Sequence, residues 1–243
     1  MKYDLITHSS DDSIVIRFPE EISPEIAAKV RQTKQALQMA GLDWVSDIVP
    51  SYCEVLVTYD MKRVGPTAAL AELKAIVDDA TSSAASKPHL VRIPVCYGGD
   101  FGPDMCFVTE HTRISEDELI KIHSAPRYLI YMIGFTIGFP YLGGMDDRLV
   151  VPRLEVPRQK VPAGSVGIAG KQTGIYSLDT PGGWRIIGRS PIKLVDITRM
   201  PPAVLSAGDY LQFYPIDRAE FERITALSEQ RAFTLESAEC EGL

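Results

Sequence analysis

YLIYMIGFTIGFPYLGG, residues 128–144, carries the clearest local signal of the fold. It opens on an apolar, β-prone run and then breaks at Gly134, Gly138, Pro140 and Gly143-Gly144. Short strands joined by tight turns satisfy that pattern, and a helix does not. The same alternation continues as SVGIAG (165–170), WRIIG (184–188), KLVDI (193–197) and YLQFY (210–214), with Gly and Pro between the runs. Many short strands of this kind predict a compact sheet or barrel.

Upstream, Leu90 to Tyr97 alternates as a strand, and Ser115 with Glu118 forms a capping box for a helix reaching about His123. Asp217 to Glu229 predicts a last helix, and the acidic tail after it is expected to fray. Toward the N-terminus, Ser13 to Phe18 reads as a strand. Ser23-Pro24-Glu25 then supplies an N-cap, a first-turn proline and an acid, and Gly41 supplies the stop. Trp44 to Val49 and Cys53 to Tyr59 predict two strands, and Pro66 opens a helix carrying Leu70, Leu73 and Val77 on one face. The order β-α-β-β-α is most of a ferredoxin-like unit. Thr81 to Lys87 (TSSAASK) is small and patternless and reads as a linker. The expected fold class is therefore α+β, with a small α/β domain over residues 1–85 and a β-barrel domain over 86–243 that carries the site.

A net charge of -7 without any Lys/Arg cluster gives no face to track a phosphate backbone, so nucleic acid is not an expected partner. No apolar run approaches the length of a membrane span, and Met1 to Ser10 has no signal-like core. Cys53, Cys96, Cys106 and Cys240 lack C-x-x-C spacing and read as reduced thiols of a cytoplasmic protein.

Catalytic signatures are mostly rejected. Gly164 to Thr173 (GSVGIAGKQT) superficially resembles a phosphate loop, but the G-x-x-x-x-G-K-[ST] spacing fails and Gln172 occupies the hydroxyl position. There is no G-x-S-x-G elbow and no H-E-x-x-H, and His8, His89, His111 and His123 are too scattered for a metal site. What remains is a density of backbone-shaping residues from Gly134 to Arg189, which makes rigid loops with accessible amides. Arg153, Arg158 and Arg189 within those loops suit a carboxylate or phosphate, or else surface ion pairs. Phe135, Phe139, Tyr176 and Trp184 either wall a pocket or are plain core. His123 also suits a helix C-terminal dipole partner.

At these residues the chain resembles the family of 5-oxoprolinase B subunits, also called KipI-like or allophanate hydrolase subunit 1. The resemblance is carried by IPVCYGGDFGPDM (93–105), GFTIGFPYLGG (134–144), PRLEVPRQKVPAGSVGIAGKQTGIY (152–176), TPGGWRIIGRSP (180–191) and KLVD (193–196). Ile137 and Ser177 stand where the family usually has Pro, and Ser190 stands for Thr.

The resemblance implies a cyclophilin-like barrel behind the N-terminal domain. It also implies a homologous C subunit (KipA-like) whose barrel meets this one around a cleft, and an A subunit (LamB/YcsF-like). Together they open 5-oxoproline to glutamate with ATP and magnesium, the isolated chain holding no cofactor and having no activity. Carried over by motif position, Arg158 and Gln172 are the expected catalytic pair, with substrate contacts from Arg153, Gly164, Tyr176, Gly183, Trp184, Arg189, His123 and Tyr131. Arg158 and Gln172 are expected to be hard to explain by packing, so their loss should spare stability. Two further family roles stay open on the sequence: inhibition of a sporulation histidine kinase, and membership of an allophanate- or urea-using enzyme.

Overall fold

The computed structural model describes residues 3–79, 87–198, 200–230 and 232–240, and the chain divides after Lys87 into two compact units. The expected linker over Thr81 to Lys87 lies, but for its last residue, outside the described residues.

The first unit contains β1 (Leu5–Ser10), β2 (Ser13–Arg17), α1 (Pro24–Met39), β3 (Val45–Pro50), β4 (Glu54–Tyr59) and α2 (Pro66–Asp79). Ser23 caps α1 by accepting from Ile26 N–H, and Gly41 follows it with a φ of 60°, as the sequence predicts. The strands form an antiparallel sheet in the order β1-β2-β4-β3. Ile14, Ile16, Val55 and Val57 from the central strands meet Val30 and Leu37 of α1 and Leu73 and Val77 of α2 in one core.

This corrects the ferredoxin-like expectation. The place beside β2 that a ferredoxin-like unit gives to a strand after its second helix is filled by β1, which precedes everything else. β1 reads LITHSS and is half to fully exposed, so as an edge strand it carries little of the apolar alternation that marks a strand in sequence.

The second unit contains β5 (His89–Tyr97), α3 (Met105–Thr112), α4 (Glu116–Ser124), β6 (Tyr128–Ile133), β7 (Pro140–Gly143), β8 (Arg158–Val161), β9 (Ser165–Ala169), β10 (Gln172–Ile175), β11 (Thr180–Gly182), β12 (Arg185–Arg189), β13 (Tyr210–Pro215), α5 (Arg218–Glu229) and β14 (Ser237–Glu239). The main sheet runs β10-β9-β12-β5-β13-β6-β7, and its two end strands, β10 and β7, lie against each other, so the sheet nearly closes into a barrel. Among the described residues only β5 and β13 pair in parallel. The interior is filled by Ile93, Val95, Ile130, Val166, Ile168, Ile175, Ile187, Leu211 and Phe213. β8 and β11 form a separate two-stranded ribbon.

Three local expectations change. Met105–Thr112 is a helix that the sequence pattern does not announce. KLVDI (193–197) is not a strand: only Val195 makes a bridge, to Ala203, because Pro191, Pro201 and Pro202 remove ladder donors on both sides of the run. The acidic tail does not fray throughout, since Ser237, Ala238 and Glu239 pair with Val91, Leu90 and His89. No helix among the described residues is long and apolar enough to cross a membrane.

Candidate functional site

Strand alternation sorts the barrel residues into two faces. In β9, Val166 and Ile168 enter the interior, leaving Gly167 and Ala169 outside. In β10, Thr173 and Ile175 turn inward, leaving Gln172, Gly174 and then Tyr176 outside. On that outer face Phe139, Val161, Ala169, Tyr176, Trp184 and Ile186 form a second, smaller core cluster, all of them buried, with Tyr141 packed against it.

Its floor is a pair of glycines. Gly167 and Gly174 face each other across β9 and β10, and a Cβ on Gly174 would lie 3.0 Å from Trp184 Cζ3 and 3.4 Å from Phe139 Cζ. The absence of side chains lets the indole lie down on the sheet. Phe139 then meets Tyr141 at 5.4 Å, Tyr176 at 5.7 Å and Trp184 at 5.8 Å between centroids, all edge to face. Phe135 extends the row at 5.6 Å from Phe139. It is 66% exposed and has a left-handed φ of 62°. The β8–β11 ribbon closes the other side, where Gly182 packs directly against the Tyr176 hydroxyl. Burial pushes the Tyr176 pKa up, while the Trp184 backbone and the charges of Arg153 and Arg158 pull the other way.

Arg158 opens β8 and reaches back to α3. Its Nη2 donates to Asp104 Oδ1 at 2.9 Å and its Nη1 to the Trp184 carbonyl at 3.4 Å. Asp104 is buried at the head of α3, and its Oδ2 accepts from Ile186 N–H at 2.6 Å, while its own N–H donates to the Ile186 carbonyl. Arg185 stands 3.9 Å from the same carboxylate and lies over the Phe107 ring at 3.6 Å. Sequence reasoning misses Asp104 and Arg185. The Pro-Asp at the head of a short helix is the available signal, but nothing local marks a carboxylate that is paired 54 residues away.

Arg158, Tyr176, Gly183 and Trp184 are therefore brought together, with Arg153 near enough for its charge to act on Tyr176. Arg153 is exposed and makes no ion pair among the described residues. Gly183 anchors the Arg153 loop by accepting from Leu154 N–H at 2.7 Å. Gln172 starts β10 on the outer face, two residues before Gly174. Gly164 and Arg189 serve a neighbouring crossing. Gly164 has a φ of 82° and sits against the Ser190 carbonyl, its N–H donates to the Tyr176 carbonyl at 2.7 Å, and Arg189 Nε donates to the Ala163 carbonyl at 3.2 Å.

Two candidates lie elsewhere. Tyr131 packs its ring over Gly143 and belongs to no part of the aromatic cluster. His123 is fully buried inside the barrel, between Tyr97 and Thr173 and stacked on Phe213 at 4.8 Å. Burial lowers its pKa from 6.5 to about 3. The ring is thus placed in the core and not on the outer face with Arg158 and Trp184, and a ring kept neutral by burial does not act as a cationic helix-end partner. The phosphate-loop look-alike is the β9–β10 hairpin, not a strand-loop-helix. Lys171 at its tip pairs with Asp147 at 3.1 Å, and the Thr173 hydroxyl faces the core. Among the described residues no group of three His, Cys, Asp or Glu side chains is placed to hold a metal ion.

The chain belongs to the family described as carboxyltransferase domain, subdomain C and D, whose family model matches residues 5–205, and within it to the group of 5-oxoprolinase B subunits. It is 37% identical over 226 residues to the 5-oxoprolinase B subunit of Bacillus subtilis, covering 89% of this chain and 94% of that one. A crystal structure of a conserved uncharacterized protein from Pyrococcus horikoshii is 45% identical, covering 89% of this chain and 100% of that chain, with a TM-score of 0.53. The crystal structure of the K. lactis urea amidolyase matches 97% of this chain and 16% of its own at 18% identity and a TM-score of 0.78, which is a likeness of fold.

Proposed function

We propose that this chain is the B subunit of an ATP-dependent 5-oxoprolinase of the cytoplasm, and that its outer aromatic face contributes to the lactam site. The observation that carries this reading is the likeness to the Bacillus subtilis B subunit over nearly the whole of both chains. The geometry is compatible with it. 5-Oxoproline has an apolar ring edge, a carboxylate and an amide carbonyl. Phe139, Tyr176 and Trp184 are buried and give the site a rigid backing, the exposed Phe135 suits the ring, the exposed Arg153 suits the carboxylate, and the Gln172 amide suits the carbonyl. Arg158, held by Asp104, fixes the Trp184 backbone and so the wall of the site.

A lactam is resonance-stabilised, and ATP with magnesium supplies the activation its opening needs in the assembled enzyme. The residues of the β9–β10 hairpin do not fit a phosphate cradle, so no step on this chain is routed through the nucleotide. Its barrel is read as cyclophilin-like, and the face around Phe135 is left for a homologous C subunit, with an A subunit completing hydrolysis to glutamate.

The test is co-expression with candidate C and A subunits and an assay of 5-oxoproline-dependent ATP hydrolysis. Turnover by the complex and none by the isolated chain is expected. A fully assembled complex that ignores 5-oxoproline but hydrolyses ATP with urea overturns the reading, as does robust turnover by this chain on its own.

A further inference from the structure

The interior of the barrel carries a polar chain that the proposed reaction does not use. Tyr97, His123 and Thr173 come from β5, α4 and β10, and they meet at 2.8 Å (Tyr97 Oη to His123 Nδ1) and 2.7 Å (His123 Nε2 to Thr173 Oγ1). The Thr173 hydroxyl donates to the Gly167 carbonyl at 3.1 Å. A hydroxyl has one proton, so Thr173 spends its only donor on Gly167 and must accept from His123. The imidazole proton is then on Nε2, Nδ1 is the acceptor, and Tyr97 donates to it. Every bond runs one way, from the tyrosine through the imidazole and the threonine to a backbone carbonyl.

The end of the chain matters. Gly167 is the residue that faces Gly174 across the hairpin, and these two glycines are the floor on which Trp184 lies. Thr173 is adjacent to both outward-facing residues of β10, Gln172 and Gly174. The imidazole is itself fixed: it stacks on Phe213, and the His123 carbonyl accepts from the Tyr128 hydroxyl at 2.7 Å. A buried network that satisfies each member specifies one arrangement of the elements it joins.

We propose that His123 is a positioning residue, which through Thr173 and Gly167 sets the β9–β10 pair under Trp184 and so holds the aromatic site in shape from the opposite side of the sheet. The proposal rests on reading that outer face as the ligand site, but its structural half is measurable without any ligand.

The chain has two tryptophans, Trp44 and Trp184. In full-length protein carrying Trp44→Phe, the emission and acrylamide quenching of Trp184 report the floor directly. Thr173→Val removes the hydroxyl at nearly constant volume, Thr173→Ser keeps it, and His123→Gln exchanges the ring fixed on Phe213 for a flexible amide that no longer holds both contacts in place. Thr173→Val and His123→Gln are expected to red-shift Trp184 and raise its quenching roughly fivefold, the effect of one lost buried hydrogen bond on a local opening equilibrium, with Thr173→Ser close to the parent. In the reconstituted complex the KM for 5-oxoproline rises with the quenching while kcat changes less. Unchanged Trp184 emission and quenching in a folded Thr173→Val protein overturns the proposal, as does a Thr173→Ser protein that behaves like Thr173→Val. Should His123→Gln not fold, the threonine pair decides alone. Altered quenching with an unchanged KM leaves the positioning intact and refutes the site reading instead.

Discussion

Asp104 Oδ1 and Arg158 Nη2 meet at 2.9 Å across 54 residues of sequence, and the carboxylate is the more deeply buried partner, 8% exposed against 32% for the arginine side chain. That asymmetry fixes how each loss behaves. Asp104→Ala leaves Arg158 Nη2 and the Ile186 N–H without their acceptor and Arg185 without its facing charge. A broken buried pair costs about 3–5 kcal/mol, and because Arg158 is able to rehydrate, a loss of about 2–3 kcal/mol is expected. Melting curves should fall by several degrees. Arg158→Ala is expected to cost less, about 1–2 kcal/mol, since the smaller side chain admits water to Asp104. The expectation from sequence that Arg158 is neutral for stability therefore does not survive its partner, and an unchanged melting temperature in Asp104→Ala would argue against the clamp.

Gly164, which the sequence offers as a substrate contact, has surroundings that give it a backbone role. A φ of 82° disfavours any L side chain, and a Cβ would run into the Ser190 carbonyl. Gly164→Ala is expected to destabilise the protein by about 2–3 kcal/mol, combining left-handed strain with a backbone shift. Denaturant unfolding measures this. A loss of activity at full stability would restore the ligand-contact role.

The buried histidine sets a pH dependence. Its pKa falls from 6.5 in the unfolded chain to about 3 in the folded one. Between these values the unfolded state binds the extra proton, so stability is fully present above about pH 6.5 and is lost progressively as the pH falls toward 3. At pH 5 the folded state should be about 2 kcal/mol less stable than at pH 7 from this group alone. Asp146, held by the Arg148 hydrogen bonds at about 2 instead of 3.8, acts only in a lower window. Unfolding curves at pH 7, 6 and 5 should show the slope, and His123→Gln should flatten it. An equal slope in both proteins would mean that His123 is not sealed from water.

How much of this is legible in the sequence follows from which contacts are local. α1, α4 and α5 announce themselves through Ser23, Ser115 and Asp217, whose side chains cap the helices they precede. The barrel is legible because its strands are short, β-prone and punctuated by Gly and Pro. β1 is not, since an exposed edge strand lacks an apolar period, and KLVDI misleads because Leu194 is buried and Val195 makes a single bridge without extending into a ladder, while Ile197 is exposed. In the site, Trp184, Tyr176 and Arg158 are found from loop composition. Their partners Asp104, Gly167 and Gly174 depend on strand register and on a pair closed through space, neither of which a linear pattern encodes. His123 is misplaced for the same reason: a histidine reads identically in sequence whether it faces a ligand or a core threonine.

The last expectation separates binding from support within the arginines. Arg153 is exposed, carries no ion pair among the described residues, and its charge partly offsets the burial that raises the Tyr176 pKa. An exposed cation with no ion pair costs little to remove. Arg153→Ala should change stability by less than about 0.5 kcal/mol, as surface substitutions do. If it meets the 5-oxoproline carboxylate, losing one charge-assisted bond of about 1.5–3 kcal/mol should lower kcat/KM of the reconstituted complex roughly tenfold to hundredfold. Gln172→Ala, aimed at the carbonyl, should lower kcat instead, by roughly thirtyfold to thousandfold where the contact strengthens in the transition state. Arg153→Lys keeps the charge but loses the planar fork, so a partial rescue is expected. Arg158→Ala is the internal comparison, because it loses stability and activity together. Melting curves beside complex kinetics for the four variants decide the matter: full activity in Arg153→Ala and Gln172→Ala would remove the outer aromatic face from the reaction and leave it as an interface.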